Sequence, residues 1–436
     1  MNLYSLATGI GIAVLAVVSF VLLAVRTHWG TRLRTGLRRA LERTVGRPGL
    51  GWLRWWHLTA AVAVGMTVVM GFHLAVGDYG CIGPGQPSDL RGFLAQGRAL
   101  WSGGNPFRVA ACGGTIQEPD GLAAVLLNAV GSLGGTAGVA LVWGAVAVAL
   151  VPLAWRVAGP DRRYLTLTLA TSPLYFPLVA SQIDGASNAL VPVVVLLTLF
   201  LATRGELLST AVAGFLATQR FPALFPVLGM SGSFRRRFAS AFVLAAVFAA
   251  FTGVSYLLWG SEFLDPVFFS QLARRSFSLN LWGVFLLGPG LPGGIGLTLV
   301  QVALTLALVF AVFLTVKSPL RAAAVTLAGV ALLTQFLSFN ILVWLLPGVL
   351  VGARPRWWLW GIAVVGSLNY DYALSVTAWT QGVVWPSQVL DVVLTVLLVG
   401  LLVDLWRSAE PARAPSTDGG SPPAASSRPG KDYVAT

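Results

Sequence analysis

The stretch SDLRGFLAQGRALWSGGNPF, residues 88–107, follows directly on a long apolar run. It carries Asp89, Arg91 and Arg98 in a chain of which only 10% of the residues are charged. A carboxylate at a partly desolvated membrane surface has the chemistry of a general base. The alternative is a solvated loop in which Asp89 caps a helix that begins at Leu90, because a Ser-Asp pair is typical of helix N-caps.

A second polar group stands between two apolar runs, in the segment SQIDGASN. Gln182, Asp184 and Asn188 place three polar side chains within seven residues. Such a group suits a hydroxyl-rich ligand such as a sugar. It equally suits a hydrogen-bonded cluster between membrane helices, so both interpretations stay open.

The elements that would position these residues are membrane helices. The chain has 436 residues, 56% of them hydrophobic, and a mean hydropathy of +0.78, which is far too apolar for a soluble domain. Continuous apolar runs of roughly 20 residues, enough to cross a bilayer, recur along most of its length, and their lack of alternation excludes a β-barrel. We therefore predict an all-α polytopic membrane protein with about 11–13 transmembrane or re-entrant helices and no soluble domain.

The basic residues orient these helices. The net charge is +13, and most of the Lys and Arg residues fall in short clusters between apolar runs, which is the positive-inside pattern rather than a sign of nucleic acid binding. Residues 5–25 form the first run and a basic loop follows them, so we predict the N-terminus outside and the C-terminus in the cytoplasm. We predict that the chain divides into three units. Residues 1–55 are an N-terminal span with a basic cytoplasmic loop, and residues 56–406 are the transmembrane body. Residues 407–436 are a disordered cytoplasmic tail rich in Pro, Ser and Ala.

Three arginines depart from this distribution. Arg220 lies at the turn of a proline-broken hairpin, and Arg274 and Arg275 lie in an external loop. Binding of an anion at the outer leaflet would explain them, because guanidinium suits phosphate geometry. Pairing with the nearby Glu262 or Asp265 is the alternative.

The chain has two cysteines, Cys81 and Cys112, which bracket Asp89. On the oxidising side of a membrane they would form one disulfide, and otherwise they are two free thiols. The three histidines are scattered, and no metal-ligand spacing, P-loop or serine-nucleophile motif is present in the sequence. The sequence thus indicates no metal site and no cofactor, although it leaves a divalent cation open.

With these residues laid out, the chain resembles the GT-C superfamily of integral-membrane glycosyltransferases, and within it glycosyltransferase family 87. The family's aspartate early in the first large external loop, followed by a Gly-x-Pro-aromatic element, is matched by Asp89 and by residues 104–107, GNPF. Its Gly-Gln-x-Asn element is similar to residues 181–184, SQID, which keep Gln182. Phe93 and Phe107 stand where the family commonly has tyrosine, and its Tyr-Pro-Pro element is absent.

Two later segments extend the resemblance, which runs from about Trp56 to Trp406. The family's Lys-x-x-Pro helix break resembles QRFP, in which Arg220 replaces the lysine. Its late Ser-x-x-x-x-x-Trp-Leu-x-Pro hairpin looks like residues 338–350, SFNILVWLLPGVL, which contain Asn340.

The resemblance implies a reaction at the outer face of the membrane. A sugar, mannose or arabinose, would pass from a polyprenyl-phosphate donor to a glycan or glycolipid of the cell envelope. Asp89 would be the base, and Arg220, Arg274 and Arg275 the cations for the departing phosphate. The remaining substrate-binding residues would be Gln182, Asp184, Asn188 and Asn340. A transporter or flippase for a lipid-linked glycan, and a catalytically silent subunit of an envelope complex, are the alternatives.

Overall fold

A computed structural model describes the chain in segments. These are residues 39, 54–76, 81–83, 86–117, 121–158, 166, 169–170, 172, 175, 187–202, 205–218, 233–269, 280, 282, 295–334, 337, 339–351, 357–371 and 385–408. The predicted first span at residues 5–25, nearly all of the basic loop and the predicted disordered tail beyond residue 408 lie outside the described residues.

Almost every described element is a helix, as expected where a bilayer forces the backbone to satisfy its own hydrogen bonds. The α-helices are α1 Trp55–Val76, α2 Asp89–Trp101, α3 Leu122–Ser132, α4 Gly135–Ala158, α5 Leu190–Ala202, α6 Glu206–Leu216, α7 Phe234–Trp259, α8 Ser261–Leu264, α9 Ile295–Thr315, α10 Pro319–Leu333, α11 Trp357–Asp371 and α12 Trp385–Arg407. Ser187–Ala189 and Phe339–Leu350 are 3₁₀ segments, and Asp265–Phe269 is a π-turn.

Four of these helices are long and apolar enough to cross a membrane. They are α4, α7, Thr298–Thr315 within α9, and α12, and seven shorter apolar helices accompany them in the described part of the chain. Much of α7 and α9 is exposed although it is apolar, with Leu257 at 83% exposure, as lipid-facing surface requires. The chain is therefore an all-α polytopic membrane protein, which confirms the predicted fold class.

The described parts of the two broken hairpins contain short helices. α6 has 11 residues, about 16 Å of helix, which is too short to cross a hydrocarbon core of about 30 Å. In the second hairpin α10 ends at Leu333, and the chain then continues as the 3₁₀ segment Phe339–Leu350. Asn280 lies at this break: its Nδ2 is 3.0 Å from the carbonyl oxygen of Ala331 and 2.8 Å from that of Thr334. The side chain of Asn280 thus satisfies carbonyl groups that the end of α10 leaves unpaired.

The first large loop folds into a small unit that the prediction of a purely helical chain did not contain. Residues 81–117, here called the first-loop unit, hold α2 and two antiparallel hairpins, with strands β1 Cys81–Gly83, β2 Gln86–Pro87, β3 Arg108–Ala111 and β4 Gly114–Gln117. Cys112 and Gly113 form the two-residue turn between β3 and β4, with φ of 54° and 77°. Positive φ at both central positions is the type I′ geometry that matches the twist of a hairpin.

Close packing joins this unit to the membrane helices. Leu90, Phe93 and Leu94 of α2 share a buried cluster with residues of α1, α3, α4 and α5. Gly97 allows α2 to approach α3, because a Cβ at this position would lie 2.6 Å from the carbonyl carbon of Asn128. The position of α2 is therefore determined by contacts with several helices rather than by its own sequence.

Candidate functional site

The site begins at the N-terminus of α2. Ser88 is the N-cap residue, with extended backbone angles, and Asp89 is the first residue of the helix. The alternative in which Asp89 caps a helix starting at Leu90 is therefore wrong by one residue. Asp89 is exposed and stands in the first turn, where the helix dipole favours a negative charge.

A buried polar network fixes α2 from its inner side. Asn128 Nδ2 donates to Gln96 Oε1 at 2.7 Å, and Trp143 Nε1 donates to Asn128 Oδ1 at 2.8 Å. All three side chains are fully buried. Hydrogen bonds in such an environment are strong, and a buried polar group that loses its partner costs free energy of folding. This network therefore fixes both the position of α2 along its axis and its rotation about that axis.

The opposite face of α2 lines a cavity of about 740 Å³, here called the arginine cavity. Arg91 and Arg98 lie along this wall, and Arg108 at the start of β3 lies on the other side. Thr136, the second residue of α4, also contributes to the lining. Asp89 is not among the lining residues.

The turn GNPF closes the gap between α2 and the hairpin. Asn105 Oδ1 accepts a hydrogen bond from the backbone N–H of Phe107 at 2.9 Å, a local Asx-type turn. The Phe107 ring is fully buried and packs edge-on against Trp259 and Phe263, with centroids 5.3 and 5.0 Å away. This turn therefore anchors the first-loop unit to the end of α7.

Glu262 strengthens the same junction. Its carboxylate accepts from Asn105 Nδ2 and from Arg108 Nη1, the latter at 3.3 Å. From the sequence, Glu262 was a candidate partner for Arg274 or Arg275, whereas in the described part of the chain its partners belong to the first-loop unit. Cys112 is bonded to Cys81, so the wall of the cavity is also linked covalently to the start of the loop.

Comparison with known families agrees with this architecture. The model of glycosyltransferase family 87 matches residues 119–338, half of the chain. The chain belongs to glycosyltransferase family 87. It is therefore a membrane glycosyltransferase, and the resemblance predicted from the sequence is confirmed. No curated protein sequence matches it.

Only some of the predicted site residues of the glycosyltransferase lie inside the range matched by the family 87 model. Gln182, Asp184, Asn188, Arg220, Arg274 and Arg275 fall inside the matched range, whereas Asp89, Asn340 and the two cysteines fall outside it. The first-loop unit, residues 81–117, therefore lies wholly before the matched segment.

The structure describes some of these residues and not others. Asn188 is buried in the 3₁₀ turn Ser187–Ala189, which packs against the segment Phe339–Leu350 that carries Asn340. Leu190 follows directly and shares a buried cluster with Leu90, the neighbour of Asp89. The predicted sites at Asp89 and Asn188 thus lie on elements that share one core. The residues that lie outside the described part of the chain are Gln182, Asp184, Arg220, Arg274 and Arg275, and for Asn340 only the backbone is described.

Among the polar groups that the sequence did not single out is one between α11 and α12 of this glycosyltransferase. Asp391 of α12 is 1% exposed, and its Oδ1 accepts from Asn369 Nδ2 of α11. Ser387 Oγ donates to Asn369 Oδ1 at 2.6 Å. The signal was present in the sequence, since a single carboxylate inside the apolar run VLDVVLTV is rare unless it has a partner.

Proposed function

We propose that this family 87 enzyme transfers a sugar, mannose or arabinose, from a polyprenyl-phosphate donor to a glycan or glycolipid acceptor of the cell envelope, at the outer face of the membrane. The observation that carries the proposal is the first-loop unit. It is a folded, disulfide-linked unit at the ends of the membrane helices, and it presents the exposed carboxylate of Asp89 at a helix N-terminus. A lipid-phosphate donor has its reactive bond at this level of a membrane.

The proposed chemistry requires few protein groups. As the acceptor oxygen attacks the anomeric carbon, Asp89 takes the proton of the acceptor hydroxyl. The bond between the anomeric carbon and the phosphate oxygen breaks, and polyprenyl phosphate leaves with the electron pair. Phosphate is already a good leaving group, so no general acid is required, and cations stabilise the charge that grows on it. We assign that role to Arg220, Arg274 and Arg275.

Substrate binding would use the polar residues of the family-like motifs. We assign Gln182, Asp184, Asn188 and Asn340 to contacts with sugar hydroxyl groups. Support comes from the packing of the Asn188 turn against the segment that holds Asn340. The proposal includes no cofactor and leaves a divalent cation open, and it assigns residues 56–406 as the transferase body, within which the family match lies.

The orientation is part of the proposal: the N-terminus and the first-loop unit outside, and the C-terminal tail in the cytoplasm. The basic clusters between apolar runs support it. The Cys81–Cys112 disulfide supports it as well, because disulfides persist on the oxidising side of a membrane.

The test is transfer by the purified protein with a panel of polyprenyl-phosphate sugars, comparing wild type with Asp89→Asn. The substitution keeps the size of the side chain and removes its basicity, so we expect turnover to fall by about 10²-fold or more with unchanged folding. Glu206→Gln is the matched control, because Glu206 is likewise an acid in the first turn of a helix, α6. An Asp89→Asn enzyme that keeps wild-type turnover would remove Asp89 as the base. Transfer from nucleotide sugars alone would overturn the donor class.

A further inference from the structure

The arginine cavity lies on a different side of α2 from the proposed base. Asp89 and Arg91 are two positions apart, about 200° around a helix, and Asp89 and Arg98 are nine apart, which brings them to about 180°. The lining residues of the cavity include both arginines and not Asp89. A ligand in this cavity therefore does not present its reacting atoms to Asp89 directly, and the cavity needs a function of its own.

The charge of the cavity is strongly positive. Arg91, Arg98 and Arg108 line it, and none of the described residues that line it is acidic. Arg108 pairs with Glu262, but both side chains are about half exposed, at 58% and 48%, so this pair contributes little. In the part of the chain that the structure describes, Arg91 and Arg98 have no acidic partner within ion-pair distance. Arg91 and Arg98 lie seven positions apart on one face of α2, about 10 Å along its axis, and their guanidinium groups thus remain available to an anion.

The walls of the cavity leave space between these charges. Ala95 and Ala99 lie on the same face of α2, and Ala110 and Ala111 lie on β3 opposite them. With such short side chains the volume reaches about 740 Å³, within the usual range for a small-ligand site. Thr136 adds a hydroxyl group to the lining, whereas the polar side chains of Ser102 and Asn105 bond within the protein, to the carbonyl oxygen of Ala99 and to Glu262. Charge and volume together suit a phosphate-bearing group.

The surroundings of the cavity indicate a lipid rather than a soluble anion. Thr136 is the second residue of the membrane-crossing helix α4, so the cavity opens at the level where that helix ends. Helix α3, which packs against α2, carries an exposed apolar stripe formed by Leu126, Val130 and the following Leu133, at spacings of four and three residues. Trp101, 60% exposed, lies next to this stripe and donates from Nε1 to the carbonyl oxygen of Ala129 at 2.7 Å.

An apolar stripe with a tryptophan at the end of a membrane helix is typical of the boundary between headgroups and acyl chains. The cavity therefore lies where lipid phosphates lie. From this juxtaposition we propose that the arginine cavity binds the phosphate of an anionic lipid headgroup, with Arg91 and Arg98 as the phosphate ligands and the acyl chains along the stripe of α3.

The site is separate from the donor-phosphate role assigned above to Arg220, Arg274 and Arg275. It does not depend on the identity of the sugar or on Asp89 as the base. The test is accordingly a measurement of binding that needs no transfer, so failure of the proposed reaction and failure of this site are distinguishable.

The experiment measures binding of dioleoylphosphatidylglycerol, dioleoylphosphatidic acid and dioleoylglycerol to the purified full-length protein by native mass spectrometry. We expect both phosphate-bearing lipids to bind and dioleoylglycerol to bind weakly. Arg98→Ala should weaken phosphatidylglycerol binding by about tenfold or more, and Arg98→Lys should restore part of it, because lysine keeps the charge and loses the bidentate geometry. Equal binding of dioleoylglycerol would overturn the proposal, because the phosphate would then not be recognised.

Two further variants separate specific binding from general charge and from folding. Arg156→Ala removes an exposed arginine near the other end of α4, and it should leave the binding unchanged; an equal loss would contradict a specific site. Ala95→Glu introduces a carboxylate three positions before Arg98 and four after Arg91, where helix ion pairs form, so it should fill the cavity without harming the fold. Retained lipid binding in a folded Ala95→Glu protein would refute the proposal.

The source of the phosphate is resolved by two additional measurements. Inorganic phosphate should compete only at millimolar concentration; competition at the concentration of the lipid would overturn the lipid assignment. In a transfer assay, a raised KM for a lipid acceptor at unchanged kcat in Arg98→Ala would support the site and identify the bound lipid as substrate. Unchanged KM with loss of co-purifying phospholipid would support the site and identify it as a bilayer lipid.

Discussion

Replacement of Asn128 by alanine should destabilise the protein strongly, because this side chain joins three helices. Its amide donates to Gln96 of α2 and accepts from Trp143 of α4, with all three side chains fully buried. Asn128→Ala leaves Gln96 Oε1 and Trp143 Nε1 without these partners. Each orphaned buried group costs about 1–3 kcal/mol, so the expected loss is about 2–6 kcal/mol. That is a large part of a typical folding free energy of about 5–15 kcal/mol.

The assay is a double-mutant cycle on unfolding of the protein in detergent micelles. Trp143→Phe keeps a ring beside Phe93, whose centroid is 5.6 Å away, and removes only the N–H donor and part of the ring. Both changes break the same hydrogen bond. The loss of unfolding free energy in the double variant should therefore be about 1–3 kcal/mol smaller than the sum of the losses in the two single variants. Ser132→Ala is the control, because the Ser132 hydroxyl bonds only within α3, to the carbonyl oxygen of Ala129 at 2.8 Å.

This network also has a consequence for function. α2 carries both Asp89 and the arginine cavity, so Asn128→Ala should reduce transfer and lipid binding together, while Ser132→Ala should reduce neither. The reasoning is refuted if Asn128→Ala costs less than about 0.5 kcal/mol, the usual range for a neutral surface change, or if the two substitutions are additive.

Two other substitutions test separate parts of the molecule. Joint replacement Cys81→Ser with Cys112→Asn should lower stability by about 3–4 kcal/mol, since the disulfide closes a loop with a sequence separation of 31, and asparagine tolerates the φ of 54° at position 112. Chemical denaturation measures the loss, and mass spectrometry that found both thiols free in protein from oxidising membranes would contradict the disulfide. Asp391→Asn should keep or raise the thermal midpoint, because it removes a carboxylate from an apolar helix and keeps an acceptor for Asn369, whereas Asp391→Leu should cost about 1–3 kcal/mol. A midpoint of Asp391→Asn clearly below that of the wild type would show that the cluster requires the charge.

Part of the candidate site was predictable because its signals are local. Asp89 was placed at the start of a helix to within one residue, since a Ser-Asp pair followed by periodic apolar residues is a helix start in any context. The turn of residues 104–107 was recognised from its Gly-x-Pro-aromatic pattern, and the structure adds that Phe107 is its buried anchor. The roles assigned to Gln182, Asp184, Arg220, Arg274 and Arg275 stay predictions.

The arginine cavity was not predictable as a site. A helical projection separates Arg91 and Arg98 from Asp89, but the other wall comes from two distant positions. The GNPF turn brings Arg108 there, and Thr136 arrives only at the start of α4, after α3. The buried networks were hidden for the same reason. Asn128 bonds to residues 32 and 15 positions away, and Asn280 reaches carbonyl groups 51–54 positions away. No sequence periodicity and no local motif identifies two residues that form a hydrogen bond across such separations in the chain.

The sequence by itself determined the class of this protein. Apolar runs of membrane length can satisfy their backbone only as helices, so composition and run length were enough to predict an all-α membrane protein. The family resemblance followed from short motifs in order. Only the tertiary structure decided which faces meet: that α2 turns Asp89 away from two arginines, that Gly97 lets α2 lie against α3, and that Glu262 reaches the first-loop unit. The physical reason is that hydrophobic burial is non-directional, whereas these close contacts and hydrogen bonds depend on how distant helices pack.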